Sequence, residues 1–133
     1  MRIDRRELGA VFVGGFLGTV ARAEVAEALP FHPGRWPWAT FAVNIAGALL
    51  LGYATTRLQE RLPLSAYRRP FLGTGICGGL TTFSTMQLEL LRMLDGGHVI
   101  LAVLYATASV AVGFLAVAAA TNAVRRARVR APA

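Results

Sequence analysis

The chain has 133 residues, of which 55% are hydrophobic and only 16% charged, against roughly 25% charged in soluble domains. The apolar content excludes intrinsic disorder, and the length admits one domain. The net charge of +7 comes from fourteen arginines and no lysine, separated by long apolar stretches, so it reads as charge between buried segments and not as a nucleic-acid surface.

The first apolar run, Leu8 to Ala21, has 14 residues and becomes a plausible span if its helix continues through Glu24 and Glu27 to Leu29. Arg22 and two glutamates stand where a signal peptide would carry its small-residue cleavage site, so this helix is read as retained. Pro30, Pro33, Gly34 and Pro37 end it. The second run, 36 to 56, holds 21 positions without formal charge between Arg35 and Arg57, which is one bilayer crossing. Pro63 and Pro70 bracket the next loop. A third run, 70 to 88, ends at Glu89, and after the turn at Asp95, Gly96 and Gly97 a fourth extends from 99 to 124. The expectation is a single all-helical membrane domain of four spans, about 8–29, 36–56, 70–92 and 98–122, followed by a basic tail over 125–133.

Eleven arginines lie at the amino terminus, in the second loop and in the tail, and three (Arg22, Arg35 and Arg92) lie on the opposite side. Basic residues are retained in the cytoplasm, so both termini are expected there in the cell membrane. Cys77 is the one cysteine, which excludes a disulfide framework. No nucleophile is paired with a base, and His32 and His98 fall in loops, so an enzyme is not expected.

Polar groups inside a span are costly unless paired or wetted, which makes the few present the candidates for function. Thr40 and Asn44 share one face of the second helix, and Tyr105 and Ser109 share one face of the fourth. No Asp, Glu, Lys or His falls in the middle of any span, so the available groups are neutral donors that suit passive permeation of a small anion. The alternative for each is interhelical bonding worth about 0.6 kcal/mol. Residues 73 to 86, GTGICGGLTTFSTM, combine four glycines with a Thr pair at low helix propensity. A broken helix here would free carbonyl oxygens for protein, water or a monovalent cation, whereas glycine serving close packing alone is the other reading. Phe83 adds a ring whose edge is positive. Gly14 and Gly18 form a small face on the first helix, as do Ala102, Ala106, Ser109 and Gly113 on the fourth, and two such faces suggest an oligomer. Arg22 either snorkels to the interface or sets a positive potential at a vestibule.

These motifs resemble those of the Fluc/CrcB fluoride channels over nearly the whole chain: GGFLGTVAR at 14–22, TFAVNIAGALLLG at 40–52, GICGGLTTFST at 75–85, and the Tyr105 to Ser109 pair. The resemblance implies four transmembrane helices with a break in the third, an antiparallel dimer with two fluoride pores, and passive fluoride efflux that lowers cytoplasmic toxicity. It places Asn44, Phe83, Met86, Thr40, Ser84, Tyr105 and Ser109 along the pore. It also implies a structural sodium ion at the dimer axis, held by backbone carbonyls at Gly78 and Thr81. Met86 stands where the family pattern has a second phenylalanine; it is polarizable but has no ring quadrupole. The arginine bias favours one orientation, which suggests pairing with an oppositely oriented paralogue instead of a homodimer. The competing classes are a small multidrug-type four-helix exporter and a non-conducting subunit of a heterodimeric channel.

Overall fold

The computed structural model describes residues 4–60 and 67–129. Arg2, Arg61, Pro63 and the end of the basic tail from Arg130 lie outside the described residues.

Among the described residues every regular element is helical and there is no strand. Helix α1, Arg5–Ala28, starts at Asp4, whose carboxylate accepts the Arg6 N–H at 2.9 Å, a side-chain cap for an otherwise orphaned donor. It ends at Leu29, directly before Pro30. Helix α2, Trp38–Glu60, begins after Pro37 and runs four residues beyond the expected end at 56. A charge at Arg57 closes an apolar run but not a helix, since Leu, Gln and Glu continue one readily.

The glycine-rich segment is helical in two pieces. A π-helical stretch, Pro70–Cys77, runs into a single α-turn, Gly78–Leu80, and the two are taken together as α3. The backbone is then extended at Thr81 (φ −78°, ψ 151°) and Thr82 (φ −147°, ψ 118°). Helix α4, Phe83–Asp95, restarts with Thr82 as its cap, the hydroxyl accepting the Thr85 N–H at 3.2 Å. A turn through Gly97, at φ 77°, leads to α5, Val99–Val129.

Three of these helices, α1, α2 and α5, are long and apolar enough to cross a membrane. At 1.5 Å per residue, α3 or α4 alone is too short for a core of about 30 Å.

α1 and α3 pack backbone against backbone. A Cβ added at Gly14 would fall on the Phe71 carbonyl, one at Gly18 on the Ile76 carbonyl and within 2.8 Å of Leu80 N, and one at Gly79 on the Gly15 carbonyl. The small face of α1 is therefore consumed inside the chain by α3. α2 and α5 are tied by Thr56, which donates to the Gly52 carbonyl at 2.8 Å and shares a hydrogen bond with Thr121 at 3.2 Å. Thr56→Val is expected to lower stability by about 0.6 kcal/mol per lost bond, read as a small drop in the denaturation midpoint in sodium dodecyl sulfate.

The core of the bundle sits where α4 meets α5: Met86, Met93, Ala102 and Tyr105 are buried, with Phe31, Trp36, Phe41, Leu90 and Leu101 packed around them. Large apolar side chains elsewhere face outward, among them Phe12, Phe16, Ile100, Val110 and Phe114.

Candidate functional site

The break between α3 and α4 is held from across the bundle by one side chain. Asn44 on α2 accepts the Thr82 N–H on Oδ1 at 2.8 Å and donates from Nδ2 to the Thr82 carbonyl at 3.1 Å. This clasp pairs both backbone groups of Thr82 itself, which is what makes that extended residue tolerable inside an apolar bundle. One Nδ2 proton remains free for another acceptor. Thr82 Oγ1 continues the polar group, 2.9 Å from Thr85 Oγ1 and 3.4 Å from Ser84 Oγ.

In an unbroken helix the Thr82 N–H would go to the Gly78 carbonyl; here it goes to Asn44. The Thr81 N–H and hydroxyl both turn back to the Cys77 carbonyl, at 3.0 and 2.8 Å, while the Thr81 carbonyl lies beyond the helical turn. Gly78 is exposed with open space where a side chain would stand, and it lines a groove of about 580 Å³ with Asn44, Thr81 and Phe114. Neutral carbonyl oxygens released from a helix are the donor set that suits a hard monovalent cation, so Gly78 and Thr81 fit that role.

The second feature centres on a residue that the run-to-run reading passed over. Glu89 on α4 is buried, with Thr40 Oγ1 donating to one carboxyl oxygen at 2.6 Å and Tyr105 Oη donating to the other at 2.8 Å. Glu89 lies near the end of the expected 70–92 span and not in its middle, yet it is a buried carboxyl within the bundle. Glu89 served in the sequence only as the charge that closes the third run. Its spacing carried the missing signal, because Thr82, Met86, Glu89 and Met93 step by 4, 3 and 4 residues and form the buried stripe of α4. A carboxyl at the centre of such a stripe needs partners, and α2 and α5 supply one hydroxyl each.

The candidate residues thus fall into groups. Thr40 and Tyr105 meet at Glu89. Ser109, one turn along α5 from Tyr105, has a buried hydroxyl oxygen with no hydrogen-bond partner among the described residues. Arg22 is half-buried and lines a cavity of about 220 Å³ with Thr19 of α1, Thr40 of α2, and Thr82 and Thr85 at the start of α4. Phe83 is drawn into neither group and is 72% exposed, whereas Ser84 is exposed but keeps its hydroxyl 3.4 Å from Thr82 Oγ1. Met86 is buried in the core beside Tyr105.

The profile described as "CrcB-like protein, Camphor Resistance (CrcB)" matches residues 9–121. The chain is similar to "Fluoride-specific ion channel FluC 1" of Mycobacterium tuberculosis, with 60% identity over 127 residues, 96% of each chain. It is 37% identical over 123 residues to "Fluoride-specific ion channel FluC 2" of Nocardia farcinica, covering 92% of this chain and 88% of the relative. With "Fluoride-specific ion channel FluC" of Chlorobaculum tepidum it shares 44% identity over 103 residues, 77% of this chain and 82% of the relative.

Proposed function

Because the chain belongs to the CrcB family, a family of multi-pass membrane channels and not of enzymes, we propose that it is a fluoride-selective channel that lets the ion leave the cell passively and so lowers cytoplasmic fluoride toxicity. In this reading α3 and α4 together make the third of four crossings, broken at Thr81 and Thr82, and the chain acts as one half of an antiparallel dimer with both termini cytoplasmic in its dominant orientation. The observation that carries it is the array of neutral donors on α2, α4 and α5, with the hydroxyls of Thr40 and Tyr105 both directed at the Glu89 carboxyl oxygens.

The chemistry follows from proton counting. A hydroxyl has one proton, so Thr40 or Tyr105 can turn to fluoride only by releasing Glu89. Fluoride is small and strongly hydrated, and it passes where such donors replace its water one by one. Asn44 offers its free Nδ2 proton at the break, Ser109 an unused hydroxyl, and Ser84 and the Phe83 ring edge complete the path at the dimer surface. Met86 lies behind that path against Tyr105. Arg22, in its chamber with Thr40 and Thr82, raises the local anion concentration at the vestibule.

A structural sodium ion at the dimer axis would be held by the carbonyl oxygens of Gly78 and Thr81 and those of the partner, supplying fixed positive charge where the two breaks meet. The arginine asymmetry supports an oppositely oriented paralogue as that partner, because one sequence inserted both ways calls for balanced flanking charge.

The test is fluoride efflux from liposomes holding this chain alone, with and without sodium. Efflux that depends on sodium supports the homodimer; none from the lone chain, restored by an oppositely oriented paralogue, supports the heterodimer; none under either condition removes the channel reading. Asn44→Asp replaces the donor to the Thr82 carbonyl by a second acceptor facing that oxygen, so efflux is expected to fall at least tenfold. A variant that conducts like the parent would leave Asn44 a packing residue.

A further inference from the structure

On one side of α2 and the turn before it, three donors recur every four residues, and each meets α4 or α5. Asn44 pairs with the Thr82 backbone, and Thr40 pairs with Glu89, which Tyr105 also holds. The next position outward is Trp36. Its ring stands edge-on to Tyr105, with centroids 5.5 Å apart and planes at 79°, and edge-on to Phe41 at 5.4 Å and 78°. Unlike the two inner donors, its indole nitrogen is buried and has no hydrogen-bond partner among the described residues.

A buried N–H left unpaired is destabilising, because it gives up its water without gaining a partner. The aromatic packing of Trp36 would be kept by phenylalanine at no such cost, so the nitrogen is what needs explaining. An indole N–H is also a donor with no acceptor lone pair, which suits an anion and gives a cation nothing.

We propose that the Trp36 indole N–H is the outermost hydrogen-bond donor to the permeating anion, receiving fluoride on the far side of Tyr105 from Ser109. This rests on the channel reading above and extends it to a residue outside the expected pore set. Along α2 the ion would then meet an indole, a hydroxyl and an amide, at Trp36, Thr40 and Asn44. None of the three carries a charge, so each step replaces hydration without trapping the ion.

The rival use of this N–H is the ring face of Phe41 or Tyr105, a weak bond that such edge-on geometry also permits. Indole ¹H–¹⁵N spectra of the reconstituted protein separate the two. The chain has two tryptophans, so two signals are expected, and Trp38→Phe, which replaces a ring 6.1 Å from that of Trp36, removes one and so identifies the other as that of Trp36. Sodium fluoride should move the Trp36 proton downfield and saturably, while sodium chloride at equal ionic strength leaves it in place. In parallel, Trp36→Phe keeps a six-membered ring among the aromatic neighbours and removes the donor, and at low fluoride it should slow efflux about tenfold while folded protein is recovered at parental yield. A parent that conducts while its Trp36 signal ignores fluoride overturns this assignment alone, as does a Trp36→Phe variant with parental efflux. A parent that passes no fluoride in any pairing overturns the channel reading first.

Discussion

Gly18→Val is expected to yield no folded protein. A Cβ at this position lands on the Ile76 carbonyl and within 2.8 Å of Leu80 N, both backbone atoms that no rotamer change can move. α1 and α3 would have to separate, and the shift would reach Leu80, the last residue before the break. Overpacking a close-packed interior costs about 1–3 kcal/mol when side chains can adjust. Here they cannot, and valine adds two methyl groups to the clash. The measurement is the yield of monodisperse protein after detergent extraction and size exclusion. Gly9→Ala provides a control, since nothing lies within 4 Å of a Cβ there, and it should match the parent. Recovery of Gly18→Val at parental yield would mean that α1 and α3 are not in backbone contact.

The second large effect is at Glu89. Glu89→Leu fills a similar volume but leaves the Thr40 and Tyr105 hydroxyls facing hydrocarbon, at about 1–3 kcal/mol each. It also removes the acceptor that aligns both protons. Fluoride efflux is expected to fall about a hundredfold, a change of about 2.7 kcal/mol. Glu89→Gln keeps one carbonyl oxygen for one hydroxyl and turns an amide donor toward the other, so a loss of about tenfold is expected. Thr40→Val combined with Glu89→Gln removes the hydroxyl that the amide opposes, and its effect should be smaller than the two single losses together. If Glu89→Leu conducts like the parent, the carboxylate is structural and the donors act without it.

Sequence carried the class of molecule and its family further than it carried the site. The runs over 36–56 and 99–124 are apolar enough to mark α2 and α5 without any structure, and GICGGLTTFST is specific enough to name a family. Glycines at 73, 75, 78 and 79 announce poor α-helix but not what replaces it, a π-helical path over Pro70–Cys77 with α1 packed against its backbone. Gly14 and Gly18 looked available to another subunit for the same reason, because a small face says that a helix approaches and not which one. Asn44 was legible as a polar group on the right face, yet its grip on Thr82 was not, since a backbone partner leaves no mark in composition. Glu89 was hidden by the method that found the spans. Counting charge-free residues treats every carboxylate as a boundary, and a buried one then disappears into the edge of its own segment.

The glycine contacts between α1 and α3 also set a tolerance. Where helices meet through side chains, their spacing carries the slack of several rotatable bonds. Where they meet through backbone, that slack is absent, and α3 up to Leu80 is located by peptide planes, with the Asn44 side chain fixing Thr82 beyond it. The end of α3, from which the break departs, is therefore registered to α1 as a machined part is registered to a datum.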